Sequence, residues 1–287
     1  MPEGDTIHKV ARYLCAALTN QRITRLFVRG GQVADLLDAE VVEATSKGKH
    51  LFIELSSGDS LRVHLGLYGA WHRYRVGEPW SKPERQAALI LGTGSAVYVC
   101  FNAKEVEILK RGGFRRRDRE NRLGPDLTRC SPPTAVLLRR VRELLRTDIQ
   151  VTDMLLDQRI ASGIGNVYKS EVLFLERCDP RTRFSELSSD AFAALYRTAG
   201  RLLQRNLGDG PRVTRAGADG RGMLWVYGRA GLACFRCGEP VARETLGRMP
   251  RSTYWCPACQ SGRPGCAPAR PRATPMPRDS VKGSERD

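Results

Sequence analysis

The sequence predicts an α+β protein of several units: an antiparallel β-sandwich led in by a helix, an all-helical domain, and a small finger built on four cysteines. Three observations carry this. Apolar residues alternate with period two between Ile23 and Ile108, and they follow helical spacing between Ser131 and Leu207. Two Cys-x-x-Cys pairs then stand eighteen residues apart.

Taken in order, Ile7, Val10, Ala11, Leu14 and Leu18 recur with the period of a helix beginning near Asp5. Pro2 stands just ahead of it, and Glu3 and Asp5 place negative charge at the positive end of its dipole. Leu51, Ile53 and Leu55, a Ser57-Gly58-Asp59 turn, then Leu61, Val63 and Leu65 read as a hairpin. Leu89 and Leu91, a Gly92-Thr93-Gly94 turn, then Val97, Val99 and Phe101 read as a second. With Ile23–Val28 these form a sandwich or barrel, so residues 1–110 are assigned to one domain.

Residues 111–130 read as a charged linker containing Gly112-Gly113 and Arg115-Arg116-Arg117. Ser131-Pro132-Pro133 opens a helix carrying Val136, Val141, Leu144 and Leu145, and Thr152 is placed as the cap of a short helix ending at Leu156. Asn166–Glu176 reads as a third helix and Ser189–Leu207 as a fourth, with Phe192, Leu195, Leu202 and Leu203 inward. The helical domain is thus 131–217, the finger 218–262, and a Pro/Arg/Ser-rich tail over 263–287 is expected to be disordered.

Lysine and arginine number 47 against 31 acidic residues, a formal +16 that suits a polyanionic partner. The segment from Ser261 to Asp287 holds six basic and three acidic residues, so the folded part is basic in its own right. A solvated basic face would give the same count. No run of eighteen apolar residues occurs, and no membrane span is expected. The polar start (Glu3, Asp5, His8, Lys9) lacks a secretory signal core, so an intracellular, cytoplasmic location is expected.

Cys234, Cys237, Cys256 and Cys259 can supply four thiolates to one tetrahedral Zn²⁺. That set leaves no open coordination position, so the zinc is expected to be structural, holding together a finger too small to bury its own core. Arg243, Arg248 and Arg251 lie between the knuckles and could meet phosphate. Cys15, Cys100, Cys130, Cys178 and Cys266 show no ligand spacing and read as core or free thiols. The Gly163-Ile164-Gly165-Asn166 turn can bring backbone N–H groups at a helix start close to an anion, with Asn166 adding a side-chain donor. An ordinary helix connection would need no more.

The Met1-Pro2 start is chemically informative. Removal of the initiator methionine would leave a secondary α-amine at Pro2, and α-amines titrate near ~8 against ~10.4 for lysine. Such an amine can attack a sugar C1′, release the attached base and leave an iminium that promotes β-elimination of phosphate. Glu3 could protonate the opening ring oxygen, and Lys49 could hold phosphate or move protons. Proline is also simply a good first residue for a helix.

Together these features resemble the formamidopyrimidine-DNA glycosylase and endonuclease VIII family. The match comprises Met1-Pro2-Glu3-Gly4, Ser46-Lys47-Gly48-Lys49 and His64-Leu65-Gly66-Leu67-Tyr68-Gly69. It continues through Gly163-Ile164-Gly165-Asn166-Val167-Tyr168-Lys169-Ser170-Glu171 and Val226-Tyr227-Gly228-Arg229 to Arg251-Ser252-Thr253-Tyr254-Trp255-Cys256. The resemblance implies a β-sandwich and a helix–two-turn–helix domain with DNA between them. It implies a monomer that removes oxidised bases from damaged DNA and then cuts the strand by β(,δ)-elimination. Pro2 would be the Schiff-base nucleophile, Glu3 the acid at the sugar and Lys49 a phosphate contact. Asn166 and Arg251 would grip the backbone around an extruded nucleotide, and Leu67 and Tyr68 would fill the gap it leaves.

The chain departs from the family pattern at two places. Asp5-Thr6 stands where the family often has Pro-Glu, and the segment from Ala103 to Lys110 lacks the arginine and phenylalanine of the oxidised-purine branch. With Leu67-Tyr68 this favours the endonuclease VIII branch and oxidised pyrimidines. The competing readings are an oxidised-purine (8-oxoguanine or formamidopyrimidine) glycosylase and a non-catalytic zinc-ribbon nucleic-acid-binding protein.

Overall fold

The computed structural model describes residues 1–29, 31–113, 122–216, 222–248 and 250–261. The Arg115-Arg116-Arg117 stretch, Cys266 and the 263–287 tail lie outside the described residues. Helix α1 (Gly4–Leu18) buries Ile7, Ala11, Leu14 and Leu18 along one stripe, as the sequence period requires. It packs on the first strands of a four-stranded antiparallel sheet, β3 (Val41–Lys47), β4 (His50–Leu55), β5 (Ser60–His64) and β9 (Glu105–Leu109), in that spatial order. A five-stranded antiparallel sheet faces it: β2 (Gly31–Gln32), β1 (Arg25–Val28), β7 (Ala87–Gly92), β8 (Ala96–Phe101) and β6 (Ala70–Arg75). Leu51, Ile53, Leu61, Val63, Leu89 and Leu91 fill the layer between them.

The second strand of the second hairpin faces otherwise than its sequence suggests. Tyr98 and Cys100 of β8 enter the main core, whereas Val99 and Phe101 join Ile90 and Tyr74 in a smaller cluster on the outer face. Both faces of β7 and β8 are covered, so an apolar run there carries no information about which side is inward.

The helical domain is built from α2 (Thr134–Leu144), α3 (Val151–Leu156), α4 (Asn166–Leu175) and α5 (Ser189–Arg205). Leu137 and Val141 face inward on α2, and Leu144 is exposed, contrary to the sequence reading. Thr152 does not cap α3. Gln150 holds the cap position, Thr152 lies inside the helix, and its buried hydroxyl lacks a hydrogen-bond partner. On α5 the inward set is Phe192, Leu195, Leu202 and Leu203, as expected. The finger is a hairpin of β10 (Ala242–Leu246) and β11 (Arg251–Trp255), followed by the short α6 (Pro257–Gln260). No helix among the described residues is long and apolar enough to cross a membrane.

Helix α4 differs from the others. Every residue from Asn166 to Phe174 is buried, including Asn166, Lys169, Ser170 and Glu171. Buried polar groups need partners, and the charged side chains of α4 find theirs largely in the finger and the segment leading into it, while the buried Tyr168 hydroxyl has none. Glu171 accepts from the N–H groups of Trp225, Val226 and Tyr227 at 2.7–2.9 Å and from the Thr214 hydroxyl. Lys169 Nζ donates to Asn166 Oδ1 and Thr253 Oγ1, both at 2.7 Å. The segment leading into the finger and strand β11 are therefore seated on α4.

Candidate active site

The N-terminal residues reach the helical domain through Glu3. This residue is fully buried and caps α4 from across the domain boundary. Its Oε2 accepts from Gly165 N at 2.7 Å and Tyr168 N at 3.3 Å, and its Oε1 accepts from Val167 N at 2.7 Å. Gly4 N donates to Gly163 O at 2.9 Å alongside. A Cβ at Gly165 would overlap the Glu3 carboxylate, which is why this turn needs glycine. The Gly163–Asn166 turn thus does hold an anion at a helix start, but the anion is the chain's own Glu3 and not a phosphate. At the start of α1 Glu3 holds the cap position without a side-chain capping bond. Asp5 is likewise committed elsewhere: Arg212 clasps it through Nε at 2.8 Å and Nη2 at 2.6 Å, while stacking over the Tyr168 ring.

A cavity of about 520 Å³ opens beside this seam, lined by Pro2, Lys49, Leu67, Tyr68, Asn166 and Arg251 among others. Six of the seven sequence-selected residues outside the cysteine set therefore share one wall system. Glu3 is the exception, sitting behind the wall. Pro2 also borders a second, mostly apolar cavity of about 360 Å³ shared with Thr6, Tyr13, Trp71 and Tyr98. Met1 precedes Pro2 here and is exposed, so the proline nitrogen is an amide until that residue is removed.

Lys49 sits at the β3–β4 turn and, among the described residues, makes no ion pair. Burial pulls its pKa down to about 8; Glu3 opposes the shift, while Arg251 and Arg212 add to it. Asn166 is oriented at both ends: Nδ2 donates to Ser252 O at 2.6 Å, and Oδ1 accepts from Lys169. An amide nitrogen carries two hydrogens, so a further contact does not require breaking the Ser252 bond. Leu67 is 47% and Tyr68 79% exposed, so neither is a core residue at a strand end.

Of the three finger arginines, only Arg251 lines the cavity. Arg243 lies over the Tyr254 ring, and the Arg248 backbone N–H is held by the Asp153 carboxylate at 3.0–3.1 Å. The four finger cysteines converge, with Sγ–Sγ separations of 3.4 Å for Cys237–Cys256 and Cys237–Cys259 and 3.9 Å for Cys234–Cys259. A tetrahedral ion with ~2.3 Å metal–sulfur bonds needs sulfur–sulfur edges of roughly 3.8 Å, so this set fits one metal ion.

The sequence reading missed His64, Lys169, Glu171 and Arg212. His64 lines the cavity, and burial pushes it down to about 4, making it a neutral imidazole near pH 7. Only their place within shared motifs could have flagged Lys169 and Glu171, because the partners that tie them to the finger side lie more than forty residues away in sequence.

Comparison with known proteins gives a consistent picture. Residues 1–104 match the family described as formamidopyrimidine-DNA glycosylase N-terminal domain, and residues 123–216 match the formamidopyrimidine-DNA glycosylase H2TH domain. The chain is 38% identical over 275 residues to a "Probable endonuclease 8 2" of Streptomyces coelicolor, covering 92% of this chain and 97% of that protein. It is 36% identical to the "DNA-(apurinic or apyrimidinic site) lyase Nei2" of Mycolicibacterium smegmatis, covering 91% and 99%. In fold it resembles the Lactococcus lactis formamidopyrimidine-DNA glycosylase solved with abasic-site DNA, with a TM-score of 0.76 at 21% identity, covering 91% of this chain and all of that one.

Proposed function

The chain belongs to the formamidopyrimidine-DNA glycosylase and endonuclease VIII family, on its endonuclease VIII side, and from that premise we propose that it is a bifunctional DNA glycosylase and abasic-site lyase of base-excision repair. The observation that carries the reading is the convergence of Pro2, Lys49, Leu67, Tyr68, Asn166 and Arg251 on one cavity from five separate chain segments.

The chemistry starts at Pro2 once Met1 is gone. Its nitrogen lone pair attacks C1′ of an extruded nucleotide, the C1′–base bond breaks, and the base departs with the electron pair and a proton. The sugar ring opens as its oxygen takes a proton; we assign the donor role to Glu3, the carboxyl group next to Pro2 in sequence, which would have to leave its amide cradle to reach the cavity. The resulting iminium acidifies C2′–H, and loss of that proton expels the 3′ phosphate. Lys49, Asn166 and Arg251 hold the backbone phosphates, and Leu67 and Tyr68 occupy the space the nucleotide leaves. One structural Zn²⁺ on Cys234, Cys237, Cys256 and Cys259 keeps the hairpin bearing Arg251 in shape. The absence of the arginine–phenylalanine loop supports oxidised pyrimidines as substrates.

Borohydride added during incubation with lesion-containing duplex should trap a covalent complex. Replacing Pro2 with glycine should lower the trapping rate at least ~100-fold, and retained Met1 should abolish it. Binding without any trapped species would refute the enzymatic reading. Single-turnover excision should be faster on 5-hydroxyuracil and thymine glycol than on 8-oxoguanine, and the reverse order would overturn the pyrimidine assignment.

A further inference from the structure

In the four-stranded sheet, His50 of β4, His64 of β5 and Glu105 of β9 stand in one row across adjacent strands. Lys49 precedes the first of them, the Gly66–Tyr68 tip follows the second, and Lys104 precedes the third. The tip therefore rises from the middle strand with a lysine on each side. Neighbouring strands lie ~4.8 Å apart, so the two lysine backbones are separated by roughly 10 Å. That is within the ~6–12 Å widths of the grooves between the two backbones of B-form DNA.

Lys104 is built into this position. Its backbone N donates to His64 O at 2.9 Å, fixing its stem against the hairpin shoulder. Gly66 has φ +67°, and a Cβ placed there would stand 2.8 Å from Lys104 Cβ. Glycine at 66 thus makes room for the lysine stem. The ammonium group is exposed and 3.7 Å from Glu105 Oε1, but that carboxylate takes its short bond, 2.8 Å, from Arg62. A solvent-screened pair at such a distance contributes little, so the cation can be exchanged for a phosphate. Lys104 lines the same cavity as Lys49 and Arg251.

We propose that Lys104 binds a backbone phosphate of the strand opposite the damaged nucleotide, so that the wedge of Leu67 and Tyr68 is flanked by one cation for each strand. The inference rests on the reading that Lys49 grips the damaged strand. It makes Lys104 a determinant of duplex recognition, distinct from the groups that hold the reacting nucleotide.

The test compares wild type, Lys104→Ala and Lys104→Arg on one oligonucleotide carrying a stable abasic analogue, as single strand and as duplex, across a salt titration. Lys104→Ala should reduce the duplex salt slope by about one phosphate contact and lower the duplex-to-single-strand affinity ratio roughly fivefold. Lys104→Arg should restore both. A ratio equal to wild type, or equal slope changes on both substrate forms, would overturn the inference. Failure of the wild-type protein to form a borohydride-trapped complex would instead sink the parent reading, and this one with it.

Discussion

Lys49 is the residue whose setting makes the sharpest demand on solution conditions. A lysine brought down to about 8 is cationic below that pH and neutral above it. Phosphate binds the cation, so DNA affinity should fall as pH rises through about 8. Arginine stays charged throughout that range, and Lys49→Arg should remove the inflection. The measurement is affinity between pH 6.5 and 9.5, and matching profiles for the two proteins would show that Lys49 does not carry the phosphate. Lys169 also sits near 8, but its hydrogen bonds are internal and its titration perturbs the Asn166 mount and not a direct contact. At this scale the sequence was legible where placement follows from residue type: a paired cysteine spacing, an exposed Leu67-Tyr68 tip. It was illegible for Glu3, whose role as a clamp depends on the amides of residues more than 160 positions away.

Among the elements, the Gly163–Asn166 turn and α4 show what pattern reading can and cannot deliver. Glycine at 165 was correctly read as permitting close approach of an anion, but the type of anion was not encoded locally. Hydrogen bonds to a charged group contribute about 1.5–3 kcal/mol each, against about 0–1 for an exposed ion pair, so the Glu3 clamp outweighs any surface pairing between the two domains. Gly165→Ala would place a methyl group inside the space of the Glu3 carboxylate. Overpacking of this kind costs about 1–3 kcal/mol, and urea unfolding should show a lower midpoint with an unchanged slope. A midpoint equal to wild type would mean that the seam is not closed in solution. The β7–β8 hairpin failed in the opposite way: its strands were found, but with both faces covered the alternation could not tell core from outer cluster.

For the whole molecule, the finger acts at a distance from its metal site. The sulfur cluster organises the hairpin whose first β11 residue is Arg251, and that residue reaches the cavity shared with Pro2. Stripping the metal with a chelator, or substituting Cys237→Ser, should weaken DNA binding roughly tenfold and reduce the salt slope by about one, the same change expected of Arg251→Ala. Undiminished affinity in the metal-free protein would separate the finger from the binding surface. The division into sandwich, helices and finger could be read from period and cysteine spacing alone. The way they interlock could not, because it is written in buried polar residues of α4 that look unremarkable one at a time.

That interlock has a rotational consequence. Successive residues of a helix turn by about 100°, and α4 presents its amide end to Glu3, Lys169 to the β11 hairpin and Glu171 to the segment entering the finger. The bearings between Pro2, the Asn166 amide and Arg251 are therefore angles on a single ten-residue rotor. A one-residue insertion between Asn166 and Lys169 would leave Glu3 seated while swinging the finger's anchors a quarter-turn or more away. A change in the length of α4 would therefore alter all three bearings at once.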